Sequence, residues 1–132
     1  MRKALYATAV MNAFGACLFL PSAGTLRDLA GLPAAGEPFY LALCFTFVAL
    51  FGVGYLWCAV RGSADRLFIA IAAVGKLAFF LLLASSWASG AVPLRAPLTG
   101  AADLFFSVLF FVWLYGTFAT STANVVGFRA HG

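Results

Sequence analysis

The chain has 132 residues, of which 64% are hydrophobic and 9% are charged, and its mean hydropathy is +1.03. These values exclude an ordinary soluble globular domain and indicate an integral membrane protein. The net charge of +4 does not indicate nucleic-acid binding, because the basic residues are scattered singly along loops and chain ends.

Four apolar blocks are long enough, or nearly so, to cross a bilayer as helices. They cover about residues 4–21, 39–60, 67–87 and 98–118. Four helices use most of the chain, so we expect an all-α fold in which residues 1–132 form a single domain, an integral membrane four-helix bundle. This arrangement leaves no length for a separate soluble catalytic domain.

The first block follows Arg2 and Lys3 and in this respect resembles a signal peptide, with possible cleavage after Gly24. Asn12 interrupts its apolar core, so we interpret the block as a retained first helix. We expect Asn12 either to make a hydrogen bond between helices or to contribute a polar lining to a central site.

Pro21 ends this first helix, and the connection after it contains a short interfacial turn, TLRDLAGLP. Thr25 is its expected N-cap and Gly31 its expected C-cap. Arg27 and Asp28 are expected to face the lipid head groups. The leucine side chains are expected to form the buried side of the turn: Leu26, Leu29 and Leu32.

The second block carries small residues at helical spacing, which predicts a face where a neighbouring helix approaches closely. These residues are Ala42, Thr46, Ala49, Gly52 and Ala59. Thr46 is also a candidate polar residue for a binding site. Tyr55 and Trp57 are expected in the aromatic belt at the membrane surface, and the alternative is that their rings contact a cofactor.

The distribution of basic residues predicts the orientation of the helices. Residues 61–65 are all that separates the second and third blocks, so these helices are expected to be antiparallel neighbours. Five basic residues then fall at one end of the bundle and two at the other: Arg2, Lys3, Arg61, Arg66 and Arg129 against Arg27 and Arg95. The positive-inside rule therefore predicts that both termini are cytoplasmic.

The third block contains Lys76, and a charge at the centre of a spanning helix costs roughly 2.5 to 3.5 kcal/mol on insertion scales. We therefore expect Lys76 to have a partner. At 1.5 Å per residue, Asn12 and Lys76 both lie about 12 to 14 Å from the cytoplasmic helix ends, and Asp103 lies about 8 Å above them. Asp103, reached through one water, is the expected partner, with Asn12 as a second ligand. Ser107 shares the Asp103 side of the fourth helix, and Arg95 is a rival partner for the carboxylate.

Neither a metal site nor a cofactor site is indicated. Cys17, Cys44 and Cys58 lie in three different blocks without a CxxC motif and are expected to be small buried apolar residues. His131 is the single histidine, so the chain alone offers no ligand set for zinc or haem. No catalytic residue is assigned.

Several short motifs carry a family resemblance: NAFG in the first block, LAGLP after the first proline, GVGYL near the end of the second block, GK inside the third and a lone aspartate opening the fourth. Over about residues 12–118 the chain resembles the small, uncharacterised four-helix bacterial membrane proteins grouped as DoxX-like. The resemblance implies a bacterial inner-membrane location and an association with membrane oxidoreductase assemblies. It implies no particular reaction.

Three functions fit these residues. The first is an accessory component of a membrane assembly, or a protein that binds a lipid or small ligand, with Lys76 and Asp103 holding the helices in register. The second is an oligomeric transporter or channel that uses the same two residues for protons or an anion. The third is an enzyme acting on an isoprenoid, quinone-like or sterol-like lipid with Lys76 as its base. We favour the first, because no second catalytic acid or phosphate-binding motif is present; the expected partners are the bilayer and another membrane protein or a second copy.

Overall fold

The structure, a computed structural model, describes the backbone of residues 1–33 and 36–129 and the side chains of residues 1–33 and 36–117. All regular secondary structure in these ranges is helical, which confirms the predicted all-α class. The elements in chain order are α1 (Arg2–Cys17), a 3₁₀ turn (Pro21–Ala23), α2 (Gly24–Ala30), α3 (Pro38–Arg61), α4 (Arg66–Ala88), α5 (Arg95–Thr99) and α6 (Ala101–Arg129). His131 lies outside the described residues.

Local sequence determines where α3 and α4 begin and end. Pro38 occupies the first turn of α3, where its missing N–H removes no helical hydrogen bond. Gly62 ends α3 with a φ of 70°, a conformation that glycine adopts without a steric penalty. Asp65 caps α4, because its carboxylate accepts a hydrogen bond of 2.7 Å from the N–H of Phe68. The link between the two helices is therefore short and capped on both sides.

The long helices pack most closely as two antiparallel pairs, α1 with α3 and α4 with α6. In the first pair, the guanidinium of Arg2 at the start of α1 donates a 3.0 Å hydrogen bond to the carbonyl of Ala59 near the end of α3. In the second pair, the hydroxyl of Ser107 donates a 2.8 Å bond to the carbonyl of Ala73. The expected neighbours α3 and α4 thus make their closest backbone contacts with other helices.

Contact between α3 and α4 is made by an aromatic ring near their shared link. Phe68 of α4 stacks on Phe51 with a centroid distance of 6.0 Å and meets Tyr55 edge-on at 5.4 Å. Gly54 makes room for this ring, because a Cβ at that position would lie 2.6 Å from Cζ of Phe68. The contact between α3 and α4 is therefore made by aromatic side chains beside a glycine and not by close approach of the two backbones.

The small-residue face of α3 is buried over its second half. Gly52 and Ala59 are buried, and a Cβ on Gly52 would lie 3.3 Å from the Cβ of Asn12 in α1. Ala42 and Thr46 are exposed, so the predicted packing face was wrong for the first turns of α3. The reason is length: α1 is only 16 residues long and does not continue alongside these turns.

A sharp bend follows α1, where the direction of Pro21–Ala30 departs from that of α1 by 86°. Arg27 stabilises this bend from a buried position. Its guanidinium donates hydrogen bonds of 3.0 and 2.7 Å to the carbonyls of Leu18 and Leu20. The expectation that Arg27 faces the head groups was wrong, because backbone carbonyls that follow the end of α1 bind the cation inside the protein.

The short helix α2 buries Arg27 and exposes two of the three leucines that were predicted to be buried. It begins at Gly24, ahead of the expected N-cap Thr25, whereas the predicted C-cap Gly31 is confirmed with a φ of 72°. Leu26 and Leu29 are exposed rather than buried. Arg27 occupies the buried face, whereas Leu32 is half-buried and packs against the smaller apolar cluster described below.

Most of the buried apolar residues in the described part of the chain form two clusters separated along α4. The larger cluster draws on α1, α3, α4 and α6 and contains Leu5, Ala9, Tyr55, Cys58, Ala59, Ile69, Ala72, Ala73, Phe110 and Leu114. The smaller cluster contains Leu83, Val92 and Ala96, with Leu32 and Phe79 packed against it. Lys76 follows Ala73 and precedes Phe79 in α4, so its charge is placed between two apolar clusters.

The outward surfaces of α3 and α4 are apolar, as expected for helices in contact with lipid. By length and apolarity each of these helices is able to cross a membrane, and α1 with its bent continuation would be a third such helix. The part of α6 with described side chains, Ala101–Thr117, is apolar but shorter. The chain is therefore a membrane protein with two or three candidate spanning helices.

The cysteines divide between the core and the outer surface. Cys58 is buried as predicted, whereas Cys17 and Cys44 are exposed, so the prediction was wrong for these two. All three are free thiols. The exposed pair lies on apolar helices, where a thiol suits a lipid-facing surface as well as it suits a core.

Candidate functional site

Lys76 and Asp103 form a direct ion pair between α4 and α6. Nζ of Lys76 lies 2.6 Å from Oδ1 of Asp103, so no bridging water is needed. The two side chains are 7% and 20% exposed, respectively. Because both charges are largely removed from water, their attraction is only weakly screened. The lysine side chain is long enough to close the difference in depth expected from the sequence.

Asn12 of α1 also binds the lysine and connects it to α1 and α3. Nζ of Lys76 donates a 3.0 Å hydrogen bond to Oδ1 of Asn12. The amide nitrogen of Asn12 in turn donates a 3.1 Å bond to the carbonyl of Val48 in α3. One side chain thus fulfils both roles considered for it, a hydrogen bond between helices and a polar lining.

Tyr55 is a member of this cluster that the sequence argument missed. Its ring centroid lies 5.6 Å from Nζ of Lys76, a cation–π distance, and 5.8 Å from the ring of Phe110. The residue is 1% exposed, so its assignment to the aromatic belt was wrong. The signal was present in the spacing, because Tyr55 follows Gly52 by three residues and precedes Ala59 by four on the buried face of α3.

Ser107 and Thr46, both proposed as site residues, have other hydrogen-bond partners. Ser107 is fully buried and its hydroxyl bonds to the carbonyl of Ala73, which clamps α6 to α4. Thr46 is exposed and its hydroxyl bonds to the carbonyl of Ala42 one turn earlier in its own helix. The structure therefore places Ser107 beside the site as a helix clamp and Thr46 outside it. Arg95, the rival partner of Asp103, is exposed at the start of α5.

A cavity of about 570 Å³ opens beside the ion pair. Its polar lining includes Asn12, Lys76, Asp103 and Tyr55. The rest of its wall is largely apolar and comes mainly from α1, α3 and α4, including Phe14, Leu18, Phe47, Val48, Phe51 and Phe79. Its volume falls within the range of roughly 300 to 1,000 Å³ typical of small-molecule sites. An apolar wall with a few converging polar groups is the usual composition of such a site.

Gly75 keeps part of this cavity open. It lines the cavity, and a Cβ built on it would meet no atom within 4 Å. A larger side chain at this position would therefore extend into empty space without displacing the helix.

The charges that line the cavity balance one another, because Lys76 and Asp103 are the one cation and the one anion that the described residues contribute to it. Within the described residues, no three of the His, Cys, Asp and Glu side chains lie close enough together to hold a metal ion. The chemistry that these groups offer is hydrogen bonding around a neutral ion pair.

Comparison of the chain with protein-family models, with curated proteins and with solved structures finds no match. The interpretation of the site therefore depends on its own geometry.

Proposed function

We propose that the chain is a multi-pass protein of the bacterial inner membrane that binds a small lipophilic ligand in the cavity beside Lys76 and Asp103. The observation that carries this proposal is the composition of the cavity. Its walls are largely apolar, and they lead to a buried group of polar side chains. An apolar tail and a polar head would each find a complementary surface there.

The proposed topology is four spans with both termini in the cytoplasm. Arg2 bonds to Ala59, close to Arg61, so the start of α1 and the end of α3 lie together. Arg66 donates a 3.4 Å hydrogen bond to the carbonyl of Thr117, so the start of α4 lies beside residue 117 of α6. The basic residues at this end outnumber those at the end that carries α2 and α5, which supports a cytoplasmic location. The resemblance to DoxX-like proteins stays a prediction.

Ligand binding is favoured over ion transport because of the walls of the cavity. A path for ions or protons needs polar groups or water along its length, and the lining beyond the polar cluster is largely hydrocarbon. The ligand would be held for, or presented to, another membrane protein or a second copy of the chain, as expected of an accessory component.

The test is the lipid content of the purified protein. We expect that the protein extracted with its surrounding lipid in polymer nanodiscs retains a defined lipophilic molecule, detectable by mass spectrometry. Gly75→Leu, which would place a side chain in the cavity, should remove most of it. Gly116→Leu is the matched control, because a Cβ there also meets no described atom within 4 Å and Gly116 does not line the cavity. Equal amounts of the molecule in all three proteins, or bulk bilayer lipids alone in the wild type, would contradict the proposal.

A further inference from the structure

Three polar groups around the cavity still have capacity for a hydrogen bond. The ammonium of Lys76 has three N–H groups, and two of them bind Asp103 and Asn12. Within the described chain, the second carboxylate oxygen of Asp103 and the hydroxyl of Tyr55 make no hydrogen bond, and both residues line the cavity. Among the described residues, no buried side-chain nitrogen or oxygen lacks a hydrogen-bond partner, so these groups are accessible from the cavity that their residues line. A polar atom of a ligand in the cavity would find hydrogen-bond donors and an acceptor there.

The charge balance selects among possible head groups. Lys76 and Asp103 neutralise each other at 2.6 Å, and no other charged residue of the described part of the chain lines the cavity. A carboxylate or phosphate head would find no unpaired cation and would be repelled by Asp103, and an ammonium head would be repelled by Lys76. Burial of an unpaired charge is strongly unfavourable, so the cavity favours an uncharged head group.

We propose that the ligand is a neutral lipid alcohol whose hydroxyl binds between Lys76, Asp103 and Tyr55; this inference builds on the proposed ligand-binding function. A hydroxyl oxygen accepts a hydrogen bond from the free N–H of Lys76 or from the hydroxyl of Tyr55. Its hydrogen donates to the free oxygen of Asp103. A ketone, ester or ether satisfies the donors but leaves that carboxylate oxygen without a partner.

The hydrocarbon tail would occupy the apolar part of the same cavity. Its walls are aromatic and aliphatic side chains from α1, α3 and α4, among them Phe14, Phe47 and Phe79. Leu26 of α2 and Leu32 contribute to the lining as well. The tail is therefore selected by its apolar surface, whereas the head is selected by hydrogen bonds.

The experiment is a competition for photolabelling of the full chain in nanodiscs. A long-chain alcohol with a diazirine in its tail is the probe, and the competitors are cetyl alcohol, palmitic acid and cetyl methyl ether, which share one tail. The pH is set so that the acid is ionised. We expect cetyl alcohol to compete at a concentration at least about tenfold lower than the other two, the difference that one or two hydrogen bonds to charged groups produce.

Tyr55→Phe removes one hydroxyl and keeps the packed ring, so it should weaken labelling by about three- to tenfold. Tyr40→Phe is the matched control, because Tyr40 is exposed and does not line the cavity. Thermal unfolding of both variants would establish that the fold is kept.

The outcomes separate this inference from the proposed function. Labelling within the cavity that palmitic acid or the ether blocks as well as the alcohol would overturn the alcohol assignment and leave ligand binding intact. Labelling outside the cavity, unaffected by Gly75→Leu, would overturn both.

Discussion

At the scale of single residues, the lysine is tolerated in an apolar helix because its partners are fixed by three other helices. Asp103 supplies the opposite charge and Asn12 a carbonyl oxygen, while the ring of Tyr55 covers the ammonium. Replacing a buried ion pair by apolar residues is often neutral or stabilising, whereas removing one partner leaves a buried charge. Stability alone therefore does not account for this pair, and its exposure to the cavity suggests a role in binding.

Asp103→Ala is expected to lower the free energy of unfolding by about 3 to 5 kcal/mol, because Lys76 would keep its charge with only Asn12 as partner. The double variant Lys76→Met with Asp103→Leu should recover most of this loss, since no charge remains buried. Unfolding in mixed micelles, followed by circular dichroism, measures both. Equal stability of Asp103→Ala and the wild type, or a double variant no better than the single one, would show that the two side chains are not coupled.

The cluster could be predicted from the sequence only in part, and the reason differs from residue to residue. Lys76, Asp103 and Asn12 stand out because ionisable and amide groups in apolar helices need partners, and the rise per residue gives their depth. Tyr55 was missed because its position near a helix end was weighed above its face. Thr46 was overvalued, since a helical hydroxyl is satisfied by its own backbone.

At the scale of elements, the segment after α1 is organised by a buried cation rather than by leucines. Arg27 donates hydrogen bonds to the carbonyls of Leu18 and Leu20, which follow the end of α1. Gly31 then reverses the chain so closely against α5 that a Cβ on it would lie 3.0 Å from the backbone nitrogen of Ala96. The predicted amphipathic turn would bury the leucines and expose Arg27. Helical spacing alone does not distinguish an arginine that points inward from one that points outward.

Arg27→Met is expected to lower the free energy of unfolding by about 1.5 to 3 kcal/mol, because the hydrogen bonds from a charged donor to two carbonyls are lost while the apolar stem is kept. Arg95→Met is the matched control on the same end of the molecule; its side chain is exposed, so its stability should match the wild type. The same unfolding assay compares them. A loss for Arg95→Met as large as that for Arg27→Met would assign the effect to net charge rather than to the helix end.

At the scale of the whole molecule, the number of long helices and their approximate bounds follow from the lengths of the apolar blocks. Residues 39–60 and 67–87 were expected as helices and are found as Pro38–Arg61 and Arg66–Ala88. The pairing of the helices was not predicted. The short link suggests that α3 packs on α4, whereas α3 packs most closely on α1, where Gly52 lies against Asn12. Pairing depends on complementary surfaces, and linker length is a weaker constraint.

The proposed orientation predicts which loops an impermeant maleimide reaches in spheroplasts. In a variant with alanine at Cys17, Cys44 and Cys58, Ser89→Cys should be labelled from outside, because it follows the far end of α4. Ser63→Cys, the matched serine in the link between α3 and α4, should be labelled only after permeabilisation. The reverse pattern would invert the topology, and labelling of both from outside would exclude spanning by α4.

The central claim is that the buried ion pair and the cavity beside it together form a ligand site. The most direct test is the amount of lipophilic ligand per chain, measured by mass spectrometry in the wild type and in the Lys76→Met, Asp103→Leu double variant. This variant is expected to stay folded but lacks the charged partners of the head group. We predict that the ligand present in the wild type is lost from the folded double variant; the same molecule at the same stoichiometry in both proteins would contradict the account.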